Sequence, residues 1–283
     1  MEYGLAAGIR AKWVSYCLAA VFCVLGSAIA ANWSYENSIL RQQAREIVTG
    51  LSKPSDRIAA INAWVYGNQG FDPNRNYFLF APLGPTPIQV LHYGGDCSDK
   101  SRLVSAMLAQ LGISSGLIMI KECPDCIVIH TVVEAEHESG RMVVDPIWNV
   151  DYPGPDGRYW GVADLAGKSI GWEHVLQLKE QGGPDSKVAA MPRSEATFDN
   201  AIPINWEKNA VTQLAGATLR AMGVDTRHML RPRFLEDPKL LLTIMPLSLA
   251  ALFLSCGLLI GWAQRKRKPA NKNADAVSYA LRT

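Results

Sequence analysis

Gly94-Gly95-Asp96-Cys97-Ser98-Asp99-Lys100 opens a segment that continues as Ser101-Arg102-Leu103-Val104-Ser105-Ala106-Met107-Leu108-Ala109-Gln110-Leu111-Gly112. Leu103, Val104, Met107, Leu108 and Leu111 recur at helical spacing, so one face is apolar. Asp96 suits the N-cap, Asp99 completes a capping box, and Gly112 suits the C-terminal stop. Cys97 then falls in the first turn, where unpaired N–H groups and the helix dipole favour a thiolate. The carboxylates of Asp96 and Asp99 oppose this unless they point outward. The glycine pair gives a tight turn and lets another backbone approach closely. Taken alone, a cysteine here is as readily an inert packing residue.

Two β-branched segments follow. Ile127 to Glu136 reads as a strand with His130 inside it, on the face of Val128 and Val132. Glu138-Ser139-Gly140-Arg141 reads as a turn, and Arg141 to Trp148 as the next strand. A tight hairpin brings Asp145 beside His130. Alone, His130 reads as a core histidine and Asp145 as a strand-end carboxylate before proline. With Cys97 they form a set: a thiol nucleophile, a base and a carboxylate that holds the imidazole tautomer. His92, on the preceding loop, and His137, solvated at the strand end, are the rival bases.

The set Gly95-Asp96-Cys97, His130-Thr131-Val132-Val133-Glu134 and Val144-Asp145-Pro146 resembles the transglutaminase-like superfamily, a membrane-anchored bacterial type of papain-like cysteine enzyme. Ser55 to Val65 resembles that family's lead-in helix, and the match runs from Ala44 to Trp148. Thr131 departs from the family, which often has alanine and then an aromatic residue there. The resemblance implies an α+β fold with a papain/transglutaminase-like core: a helix bearing Cys97 packed on an antiparallel sheet bearing His130 and Asp145. For an oxyanion, the Cys97 N–H is one donor. Gln89 is a second candidate, against its reading as an ordinary loop residue.

Trp13 to Ala31 carries no charge and follows Arg10 and Lys12. It reads as a membrane span, with a signal peptide cleaved near Ala28-Ile29-Ala30 as the alternative. Leu240 to Ala263 is a second uncharged run, tolerant of Pro246, with Trp262 at its edge and Arg265-Lys266-Arg267-Lys268 after it. The basic residues beside both runs predict two cytoplasmic termini under the positive-inside rule. The expected organisation is a cytoplasmic segment 1–12, a span 13–31, a transglutaminase-like domain 32–195, a helical membrane-proximal linker 196–239, a span 240–263 and a basic cytoplasmic tail 264–283. The domain would face the periplasm from a bacterial inner membrane. The two apolar runs account for 48% hydrophobic residues alongside 19% charged ones, and a net charge of +2 argues against a nucleic-acid partner.

Cys17, Cys23 and Cys256 lie in the apolar runs, and Cys23 lacks the pattern upstream of a lipoprotein cleavage site. Cys123-Pro124-Asp125-Cys126 sits between the strand Gly116–Lys121 and the strand of His130, where a loop-closing disulfide is the favoured reading. A redox motif would need a helix opening at the pair. A zinc site on Cys123, Cys126, His130 and His137 would take His130 from Cys97. Neither metal nor cofactor is expected. Asp151 to Trp160 is turn-rich, its aromatics either lining a cleft or folded inward. Leu176 to Pro192 reads as loop, Trp206 to Met222 as helix, and Pro269 to Thr283 as a polar tail. Arg227, Arg231 and Arg233 would stand near lipid headgroups.

The function these readings predict is cleavage of an amide through a thioester. Water as acceptor gives a peptidase or amidase, and an amine gives a transglutaminase. Substrates would be proteins, peptides or amide-bearing polymers near the bilayer. The alternative is an unused triad in a binding or assembly module of an envelope complex. A third reading is a thiol–disulfide protein built on Cys123 and Cys126.

Overall fold

A computed structural model describes residues 2–79, 83–124, 126–154, 157–166, 198–207, 210–226, 229 and 231–267, with backbone alone at 2–8, 211 and 267. The segments Leu176–Pro192 and Pro269–Thr283, and residues Asp125, Arg227 and Lys268, lie outside them. The chain divides into two compact units, one of residues 33–241 and one of 1–32 with 242–283.

The unit 33–241 is α+β. Its elements are the C-terminal part of α1 (Glu2–Ile47), α2 (Pro54–Gly67), α3 (Pro87–Tyr93), α4 (Cys97–Gln110), β1 (Ser115–Lys121), β2 (Val128–His137), β3 (Gly140–Asp145), β4 (Val150–Asp151), α5 (Val162–Leu165) and α6 (Ala210–Ala221). The strands form one antiparallel sheet in the order β1-β2-β3-β4. Hairpin loops join successive strands, so the contacts that build the sheet are local.

Asp96 caps α4, its Oδ1 accepting from the N–H of Ser98 at 2.9 Å and of Asp99 at 3.0 Å. Asp99 completes the box by accepting from the Asp96 N–H at 3.4 Å. Gly112, with φ +75°, follows the helix end. Leu103, Val104, Met107 and Leu108 are fully buried. They meet Ile58, Ile61 and Val65 of α2, Leu40 and Ala44 of α1, and Val133, Ala135, Met142 and Val144 of the sheet. The other sheet face covers a second core of Ile118, Ile120, Val132, Val143, Val150, Tyr152, Trp160 and Phe198. Burial on both faces explains the adjacent valines Val132-Val133 and Val143-Val144, one of each pair in each core.

Several expectations are corrected. His92 lies in α3, not on a loop; Thr86 starts that helix by accepting from the Gln89 N–H. The strand expected to run to Trp148 stops at Asp145, because Pro146 ends the ladder and residues 146–149 turn. Trp206 and Glu207, expected in a helix, form a turn, and α6 is described over Ala210–Ala221. Of the two readings left open for Asp151 to Trp160, Tyr152 and Trp160 follow the inward one, each 5% exposed. Arg231 also turns into the protein, donating to the carbonyls of Pro203 and Leu235.

The second unit contains the N-terminal part of α1 and most of α7 (Pro238–Arg267), two helices long and apolar enough to cross a membrane. Phe22 stacks on Phe253 with ring centroids 5.7 Å apart. Small residues let the backbones approach: a Cβ at Gly26 would lie 2.8 Å from Leu247, and one at Gly257 would lie 2.4 Å from Tyr16. Helix α1 runs on past the apolar stretch to Ile47.

Candidate active site

Three elements supply the site. Cys97 opens α4 and is a free, half-buried thiol. Asp96 Oδ1 accepts from the N–H groups of Ser98 and Asp99, while the Cys97 N–H has no acceptor among the described residues. Before it, Gly94 has φ +74°, and a Cβ there would lie 2.6 Å from the Gly70 carbonyl. Only glycine fits that contact, which seats the turn before the thiol against residues 69–70.

His130 comes from β2. Ile120 pairs with His130 but Lys121 pairs with Val128, so Ile129 is an extra residue in β2. Such a bulge bends a strand locally. Asp145 is the last residue of β3. The ladder pairs Val133 with Val144, so His130 and Asp145 meet diagonally rather than as direct partners. His130 Nε2 and Asp145 Oδ2 are 2.5 Å apart. The other carboxylate oxygen accepts from the N–H of Ile147 at 2.8 Å and of Trp148 at 3.3 Å. Pro146 and the turn after it thus orient the acid that orients the imidazole. The Asp145 side chain is 1% exposed and that of His130 17%.

The electrostatics favour imidazolium. Burial disfavours the charged ring, but the Asp145 carboxylate, its hydrogen bond and the Cys97 thiol outweigh it, raising the His130 pKa to about 10. Cys97 is within hydrogen-bonding reach of His130. With Nε2 on Asp145, the ring nitrogen left for sulfur is Nδ1. Asp99, behind Cys97, is held above the ordinary carboxylate range by burial and by Asp96, against the pull of Arg102.

Gln89 does not stand at this cluster by any described bond; its Oε1 accepts from the Thr86 N–H at 2.8 Å in the α3 cap. The His137 side chain is buried at 2% exposure, not solvated, and stands edge-on to Tyr159 at the far end of β2. Cys123 and Cys126 are joined as a disulfide in the β1–β2 loop, so neither sulfur is a free thiolate for zinc. Lys121 Nζ donates to the Pro124 carbonyl across the same loop.

Sequence patterns passed over Lys100. It is 2% exposed, and its Nζ donates to the carbonyls of Val65, Tyr66, Asn68 and Gln69 at 3.0 to 3.4 Å. Asn74 was equally silent; its amide donates to the carbonyls of Gln89 and Gly94. The only sequence signal was a lysine three residues into a capped helix. Trp148, whose ring centroid is 6.5 Å from that of His130, was legible only as a strand end.

No family model matches the chain, and no curated protein matches it. Among solved structures, it is similar to a "putative cysteine protease" from Cytophaga hutchinsonii, at 17% identity and TM-score 0.33, over 43% of this chain and 40% of that one. It is also similar to a "putative protease" from Parabacteroides distasonis, at 13% identity and TM-score 0.29, over 52% and 30% of the two chains. The chain spans less than half the length of either.

Proposed function

We propose that the chain is a membrane-anchored, transglutaminase-like cysteine enzyme acting on amide bonds, with Cys97 as nucleophile, His130 as base and acid, and Asp145 as its orienting group. The observation that carries this reading is His130 held at 2.5 Å by Asp145 with Cys97 in reach of its other nitrogen. His130 accepts the Cys97 proton. The sulfur lone pair then attacks the amide carbonyl carbon, and the Cys97 N–H faces the developing oxyanion. The C–N bond breaks as the imidazolium returns its proton to the leaving nitrogen, and a thioester remains. Water, deprotonated by His130, releases a carboxylic acid; an amine in its place forms a new amide. The two apolar helices anchor the unit at a bilayer, with the domain on the periplasmic side and amide-bearing proteins, peptides or polymers as substrates.

The test is alkylation of the full chain in detergent by iodoacetamide at neutral pH, followed at the Cys97 peptide by mass spectrometry. The expected result is a rate at Cys97 at least about tenfold above that in His130→Ala. Equal rates overturn the reading and leave a binding module.

A further inference from the structure

The other side of α4 borders a cavity of about 560 Å³. Ser101 turns toward β2, whereas Asp99 and Arg102 line this cavity, and Arg231 enters it from the segment after α6. The two guanidiniums share this cavity with the carboxylates of Asp96 and Asp99.

The local carboxylates already accept hydrogen bonds from the protein. Asp96 Oδ1 accepts from the Ser98 and Asp99 N–H groups. Asp99 Oδ2 accepts from the Asn74 and Asp96 N–H groups, and its Oδ1 takes Arg102 Nη1 at 3.1 Å. Glu236 accepts from Ser105 Oγ and the Leu117 N–H, and burial holds its carboxyl above the ordinary range.

The arginines are not fully satisfied. Arg102 is 9% exposed, and its Nε is buried with no partner among the described residues. Arg231 Nη atoms donate to the carbonyls of Pro203 and Leu235 at 3.4 Å, and its Nε is likewise buried without a partner. Burial lowers the Arg231 pKa, Glu236 opposes this, and Arg102 adds to it, so the two cations feel one another. Gly84 packs on Arg102: a Cβ there would lie 3.0 Å from Nη1. Buried N–H donors are nearly always paired, and a guanidinium edge matches a carboxylate. Met119, Ile204 and Phe234 give the rest of the wall an apolar character.

We infer that this cavity binds a carboxylate carried on an apolar body, gripped by Arg102 and Arg231. Its volume suits a small ligand. Two sources share that chemistry, the C-terminal residue of an apolar peptide and a short fatty acid. The site is independent of whether Cys97 is a nucleophile.

The test is calorimetric titration of the full chain carrying Cys97→Ala, in a non-ionic detergent. The probes are N-acetylleucine, N-acetylleucinamide and hexanoate. At least one acid binds, and the amide binds at least about tenfold more weakly. Arg231→Gln weakens the acid by a similar factor. Arg231→Lys, which keeps charge but loses the fork, weakens it about severalfold and serves if the glutamine variant does not fold. Binding of N-acetylleucine alone marks a peptide terminus, and of hexanoate alone a fatty acid; either supports the site. It is overturned if neither acid binds, if acid and amide bind alike, or if the folded Arg231 variants bind like the parent. Because Cys97 is absent from the test protein, the outcome is separate from the alkylation result.

Discussion

Ser101 Oγ donates to the Thr131 carbonyl at 3.0 Å, one helical turn after Cys97 and one residue after His130. The bond is buried and joins the helix that carries the thiol to the strand that carries the imidazole. It sets the spacing between the start of α4 and the middle of β2. Ser101→Ala should lower stability by about 1 kcal/mol, read in thermal or urea unfolding of the detergent-solubilised chain. It should also slow Cys97 alkylation, although Ser101 touches neither reacting atom. A variant that unfolds like the parent and alkylates like it would remove this tether from the account.

Asp145→Asn separates orientation from charge. Its Oδ1 can still accept from the Ile147 and Trp148 N–H groups, so the turn survives. The NH₂ that replaces Oδ2 is a donor facing His130 Nε2, which selects the wrong tautomer and no longer stabilises imidazolium. Cys97 alkylation at neutral pH should fall by about tenfold or more. An unchanged rate would separate the acid from the thiol.

The raised pKa of His130, about 10 in the folded chain, has a definite sign for stability. A histidine with a raised folded pKa contributes stability that is complete below its unfolded value of about 6.5 and is lost as pH rises to the folded one. The gap in melting temperature between parent and Asp145→Asn should therefore narrow from about pH 6.5 toward pH 10. A gap that widens over that range contradicts an imidazolium on Asp145.

Gly94 and Gly50 make a matched pair for strain. Gly94 has φ +74° and Gly50 has φ +81°, but a Cβ at Gly94 meets the Gly70 carbonyl at 2.6 Å while one at Gly50 meets nothing within 4 Å. Gly50→Ala should cost about 1 kcal/mol, from the dihedral alone. Gly94→Ala should cost about 2 kcal/mol or more and disturb the turn before Cys97. Similar losses at both sites, in unfolding measurements, would show that the contact yields freely.

The helix of Cys97 was legible because cap, apolar spacing and stop all agreed locally. The hairpin was legible for the same reason, since β2 and β3 are joined by a short turn. What was hidden is whatever depends on pairing at a distance. Pro146 ended β3 early because a missing N–H matters only once a ladder exists. Helix α3 was missed because seven residues, opened by Pro87 and followed by Gly94-Gly95, give too little periodicity. The inward turn of Arg231, the burial of His137 and the bulge at Ile129 follow from packing partners far along the chain. The disulfide joins two cysteines three residues apart in the loop between β1 and β2.

Lys100 gives the folding of this unit a hierarchy. The last carbonyls of any helix lack partners within it, and those of Val65 and Tyr66 in α2 are met by a side chain borrowed from α4. The same amine holds Asn68 and Gln69, just beyond the helix end. Helix α2 therefore has no finished C-terminus of its own until α4 has docked. The end of α2, the loop after it and the first turn of α4 should open and close as one cooperative block, with amide hydrogens across them exchanging at a common rate.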